Sequence, residues 1–178
     1  MTMLSDPRQK VALSGIVAAL FFSFSYILIC ALYFPFSIPV IDSEADKLFF
    51  AWQNALFAAL PLGGGMFAVM VRKFLRPATL DGEPVLDGSR LDIHIRFVRD
   101  TTQNLILFLI MLFNMVMYLE GDFLRLIPVL TSWFIIARLH YWAAYLLSPP
   151  HRIFGAAATL APTLFFNALL CLRIVGLF

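Results

Sequence analysis

Two sets of polar residues sit among apolar neighbours at helical spacing. Arg138 follows the run Trp133-Phe134-Ile135-Ile136-Ala137, and Tyr141 and Tyr145 come three and seven positions later. All three therefore share one face of a helix. Arg96, Asp100 and Gln103 form a second stripe, at intervals of four and three. Arg72 and Arg152 lie at the ends of two further apolar runs. Several guanidiniums, two phenols, a carboxylate and an amide brought to one place would suit a small anionic polar ligand presented beside lipid. Plainer readings stand beside that one. An arginine that snorkels to an interface, with tyrosines in an aromatic belt, has the same spacing. An intrahelical Arg96–Asp100 pair on a solvated helix end would contribute only tenths of a kcal/mol. The basic cluster as a whole would attract anionic lipid.

The elements that must position these groups follow from composition. Of 178 residues, 61% are hydrophobic and only 13% charged, with a net charge of +2; mean hydropathy is +0.87. Ordinary soluble domains are roughly 45–50% apolar and about 25% charged. The balance excludes a soluble globular enzyme, a disordered tail and a nucleic-acid binder, and points to an all-α integral membrane protein.

A bilayer core needs about 20 apolar residues per helix, and five runs meet that length. The first is Val11 to Phe34, whose end in Tyr33-Phe34-Pro35-Phe36 is no cleavage site, so it reads as a retained span. The second, Leu48 to Val71, contains Pro61 and Gly63-Gly64-Gly65, a kink or a helix-packing face. A polar stretch from Arg72 to Arg90, with Pro77, Gly82, Pro84 and Gly88, reads as loop. The third span runs from Leu91 to Leu119, with a charged first third that would project into water. The fourth covers Leu126 to Leu147, stopped by Ser148-Pro149-Pro150, and the fifth Ile153 to Gly176, with Pro162 as a kink candidate.

Orientation follows from basic residues near the span ends. Nine (Arg8, Lys10, Arg72, Lys73, Arg76, Arg90, Arg96, Arg99, Arg152) fall on one side, against three (Lys47, Arg125, Arg173) on the other. The N-terminus is expected to be cytoplasmic, with the acidic loop of Asp42, Glu44 and Asp46 facing outward. The two polar stripes then meet in the cytoplasmic leaflet. His140 reads as packed or interfacial, and His94 and His151 as interfacial; no metal-ligand spacing links them. Cys30 and Cys171 read as small core hydrophobes. No GxSxG, HExxH, Walker or dinucleotide fingerprint is present.

With these residues in place, the chain from Leu48 onward resembles the MAPEG family, the membrane-associated proteins in eicosanoid and glutathione metabolism. That family's R-x-x-x-N-x-x-E motif would read here as Arg96-Phe-Val-Arg-Asp100-Thr-Thr-Gln103, with Asp for Asn and Gln for Glu. In its leukotriene C4 synthase branch, Arg is followed by Tyr at +3, Tyr at +7 and Arg at +14, as are Arg138, Tyr141, Tyr145 and Arg152 here. The basic end of the family's first core helix is similar to Arg72-Lys73. The resemblance implies a four-helix transmembrane bundle over residues 48–178, and residues 1–47 would add an N-terminal tail, an extra span and an outer loop. It also implies a homotrimer that binds glutathione between subunits. Arg96, Asp100, Gln103, Arg138, Tyr141 and Tyr145 would hold the tripeptide, and Arg72 and Arg152 would approach from the neighbouring subunit. Arg152 would be catalytic, stabilising the thiolate, the nucleophilic form of a thiol.

The function implied is a glutathione-dependent transferase or peroxidase acting on a lipophilic electrophile. The alternative is a non-catalytic lipid-binding or scaffold protein of the same fold, favoured by the Asp100 and Gln103 departures. A small transporter or channel has less support. The Pro/Gly break in the second span suits one, but the polar residues do not continue across the membrane.

Overall fold

A computed structural model describes residues 7–33, 41, 43–75, 84–147 and 151–176. The expectations placed on Phe34, Asp42, Arg76, Pro77, Gly82 and Ser148-Pro149-Pro150 lie outside the described residues. The described chain is helical: α1 (Pro7–Tyr33), α2 (Glu44–Phe74), α3 (Arg90–Tyr118), a short 3-10 turn (Gly121–Arg125), α4 (Leu126–Leu147) and α5 (Arg152–Ile174). All five α-helices are long and apolar enough to cross a membrane.

Their polar ends extend beyond the apolar runs. The second span was expected from Leu48, yet α2 starts at Glu44 because Ser43 and Asp46 form a reciprocal cap. The Ser43 hydroxyl accepts from the Asp46 amide at 3.2 Å, and the Asp46 carboxylate accepts from the Ser43 amide at 3.0 Å. Ser89 caps α3 through the Asp92 amide at 3.2 Å, directly after Gly88 turns with φ of +74°. Pro61 and Pro162 are buried within unbroken helices.

Successive helices run in opposite directions, so the start of α1, the end of α2, the start of α3, the end of α4 and the start of α5 share one end of the bundle. The approaches there are close. Gly15 of α1 faces the Phe154 backbone, and Gly65 of α2 lies against the Phe97 ring. Of the three consecutive glycines in α2, Gly65 has no room for a side chain, since a Cβ there would come 2.6 Å from Phe97; one on Gly64 would only touch Trp142 at 3.7 Å, and Gly63 faces open space. The far half of the bundle is the main apolar core, including Phe50, Phe108, Met111, Leu112, Ile127 and Phe134. Phe108 and Phe134 stack there at 4.5 Å.

Helix α1 is stitched to α4 and α5 by polar bonds. The Tyr26 hydroxyl and Ser132 Oγ are 3.0 Å apart, and Ser23 Oγ donates to the Ala158 carbonyl at 3.3 Å. Trp133 Nε1 donates to the same carbonyl at 2.8 Å. Cys30 is buried in the core as expected, but Cys171 is exposed; it sits on the outward face of α5, which the apolar run around it could not reveal.

Candidate functional site

The site begins with a close helix crossing. Gly155 lies so near α4 that a Cβ would stand 2.7 Å from the Tyr141 backbone nitrogen, Cα and Cβ. This approach brings the first turns of α5 to the polar face of α4. Arg138 then reaches across: its Nη2 donates to the Gly155 carbonyl at 3.3 Å and also to the Thr159 hydroxyl. Its side chain is fully buried, at 0% exposure. Among the described residues, two of its donors, Nε and Nη1, find no hydrogen-bond partner. An unpaired donor out of water costs on the order of 1–3 kcal/mol, more when charged, so these two groups call for acceptors.

Tyr141 links this cation to an anion on α3. Its hydroxyl donates to Asp100 Oδ2, and its ring lies beneath the Arg138 guanidinium, with Cζ 4.8 Å from the centroid. Tyr145, one turn on, packs at 5.9 Å from Tyr141. Arg152, the first residue of α5, stacks on Tyr145 with Cζ 4.4 Å from its centroid. Stacking engages the face of the guanidinium and leaves its N–H edge available to an acceptor. Thus Asp100, Arg138, Tyr141, Tyr145 and Arg152 come together in one chain of contacts spanning α3, α4 and α5.

The other three expected residues are placed differently. Arg96 does not pair with Asp100: its Nε donates to Asp92 at 3.0 Å and its Nη2 pairs with Asp87. The turn before α3 brings Asp87 close, and Asp92 is four residues back on the same face. Gln103 is on an exposed face of α3, and among the described residues no hydrogen bond ties it to the cluster. Arg72 lines a separate pocket of about 420 Å³ at the α2–α3 junction, with Leu75, Ser89, Arg90 and Leu91.

Several supporting residues escaped the reading of the sequence. Thr159 and Gly155 hold Arg138, but nothing local to either marks them as its partners. Trp142 Nε1 donates to His94 Nδ1 at 2.9 Å, and Phe97 stacks on Trp142 at 4.7 Å with planes 10° apart. His94 is therefore buried and bonded. The Asp92–Arg96 spacing of four was a legible signal for the pair that does form.

Fold and site together define a multi-pass, all-helical membrane protein with a polar cluster at one end. Two relatives among curated proteins are both named Transmembrane protein 79. The mouse protein (Mus musculus) is 30% identical over 157 residues, covering 86% of this chain and 39% of the relative. The cattle protein (Bos taurus) is 30% identical over 136 residues, covering 74% of this chain and 33% of the relative. The chain thus spans well under half the length of either. No family model matches, and no solved structure matches.

These findings correct the expected MAPEG membership: the curated relatives carry a different name, and no model of that or any other family matches. The reason is physical. Arginine and tyrosine at intervals of three, four and seven occur on any helix that presents one polar face to its neighbours.

Proposed function

We propose that the cluster binds a small molecule bearing a carboxylate, with glutathione the first candidate, and that the chain is a glutathione-dependent transferase or peroxidase acting on a lipophilic electrophile. The observation that supports this reading is the pair of unpartnered Arg138 donors beside Tyr141 and Arg152. A carboxylate oxygen can accept a charge-assisted hydrogen bond from either of these N–H groups. In this reading Arg138 receives that carboxylate, Asp100 accepts from the ligand's ammonium group, and Tyr145 keeps Arg152 oriented. Arg152 holds the sulfur as thiolate, since a nearby cation favours the charged form; the thiol proton passes to water. The thiolate forms a C–S bond with an electrophile entering from lipid, whose leaving group departs with its electron pair. The excess of basic residues at this end supports a cytoplasmic orientation.

A second reading, a non-catalytic scaffold, draws on the complete burial of Arg138 and the commitment of the Tyr141 hydroxyl to Asp100. Native mass spectrometry of the detergent-purified protein, with and without glutathione, separates the two and reports the oligomeric state. The transferase reading expects a mass gain that Arg138→Ala loses, and a glutathione thiolate absorbance that Arg152→Ala loses. Absence of any gain at millimolar glutathione overturns it and leaves the scaffold.

A further inference from the structure

Beside α1 lies a crevice of about 820 Å³ that the polar cluster does not use. Its walls are Val11, Ser14, Gly15 and Ala18 on α1, His140, Ala143, Ala144 and Leu147 on α4, and His151 and Phe154 at the start of α5. None of the residues of the Arg138 cluster lines it. The space exists because small residues face one another: Gly15 and Ala18 across from Ala143 and Ala144. Ser14 adds little polarity, because its hydroxyl is turned onto the Val11 carbonyl at 2.9 Å. Deeper in the bundle the gap closes where Ala19 is fully buried and Ser23 reaches Ala158. The crevice is therefore a slot opening toward the end where α1 and α5 begin.

Its rim is basic. His140 packs on Phe154 with ring centroids 4.8 Å apart, and His151 lies one residue before Arg152. A neighbouring groove of about 760 Å³ on α1 shares Ser14 and Ala18 with the crevice and carries Lys10. Among the described residues, no acidic side chain lines either space. The volume falls within the roughly 300–1,000 Å³ of small-molecule sites. An apolar slot with two imidazoles at the mouth and the Lys10 ammonium in the adjoining groove, set at a membrane-facing helix, matches a single acyl chain ending in a carboxylate.

We propose that the crevice between α1, α4 and α5 binds a long-chain fatty acid, its chain among Gly15, Ala18, Ala143 and Ala144 and its carboxylate at His140 and His151. This inference is independent of the glutathione reading. The whole chain, purified in detergent, is photolabelled with a diazirine-bearing fatty acid and its peptides are mapped. Label is expected on residues 11–18 and 140–154. Unlabelled oleate should displace it at concentrations at least tenfold below those needed by oleyl alcohol. Ala143→Phe, which fills the slot, should cut labelling at least fivefold. The proposal is overturned if label spreads over the outer faces of α2 as strongly as over these segments. It is equally overturned if the alcohol or an anionic phospholipid competes as well as oleate. The competition series needs only the wild-type protein, so a misfolded Ala143→Phe does not remove the test, and glutathione binding is scored separately by mass.

Discussion

The Tyr141 hydroxyl donates to the Asp100 carboxylate, joining α4 to α3 at the same tyrosine whose ring lies under Arg138. One side chain thus couples a cation and an anion on two helices. Tyr141→Phe keeps the ring under the guanidinium and removes only the bond. It should cost about 1–2 kcal/mol, in the range for bonds to charged groups and for bonds between membrane helices. Asp100→Asn, which retains an acceptor, should cost less, and the two changes together should be less than additive. Thermal unfolding in micelles measures all three; additive losses would show that the two residues do not interact.

The α4–α5 crossing depends on Gly155. Gly155→Ala places a methyl group 2.7 Å from the Tyr141 backbone, which cannot swing aside as a side-chain tip can. Overpacking of this kind costs roughly 1–3 kcal/mol. Gly63→Ala is the control: a Cβ there meets nothing within 4 Å, and alanine is the better helix former. The expected result is a lower melting temperature for Gly155→Ala and an unchanged or higher one for Gly63→Ala.

Arg138 separates binding from stability. Arg138→Met removes a buried charge with two unpartnered donors while filling similar space, a replacement that is often neutral or stabilising. The variant should therefore fold, by melting temperature, yet gain no glutathione in native mass spectra. A variant that fails to fold would assign Arg138 a purely structural role through Thr159 and Gly155.

Trp133 is the anchor between α4 and α5 on which α1 also leans. Its Nε1–H bond to Ala158 is 2.8 Å, against 3.3 Å for the bond from Ser23 to the same carbonyl. Trp133→Phe should cost about 1 kcal/mol or more for the lost bond and ring area, and Ser23→Ala less, since the Ser23 hydroxyl also bonds Ala19 at 2.5 Å within its own helix. Unfolding of the two variants under identical detergent conditions ranks them; the reverse order would contradict the assignment.

The spans were legible because twenty-residue apolar runs have one cheap solution in lipid, the helix. The start of α2 was less so, since its apolar run begins four residues after the helix that the Ser43 cap opens, whereas α3 begins within one residue of its run. In the candidate site, Arg138, Tyr141 and Tyr145 were legible as one face, because helical spacing is a local property. Asp100 was legible as a polar residue but not as the acceptor of Tyr141, which lies 41 positions away. For Arg96, spacing alone offers both Asp92 and Asp100 at one turn, and only the fold chooses Asp92.

What the sequence by itself determined is the class: five apolar helices, their approximate bounds, and which of them carry ionisable groups. Chain-local physics, hydrophobic length and the 3.6-residue turn, suffices for that. The tertiary structure decided which polar groups meet. Gly155 brings α5 onto α4 and gives Arg138 Gly155 and Thr159 as partners, while small residues along α1 and α4 leave a crevice where side chains would otherwise fill the gap. Such outcomes depend on how closely separate helices approach, a distance set by complementary shapes far apart in sequence and therefore absent from any one stretch of it.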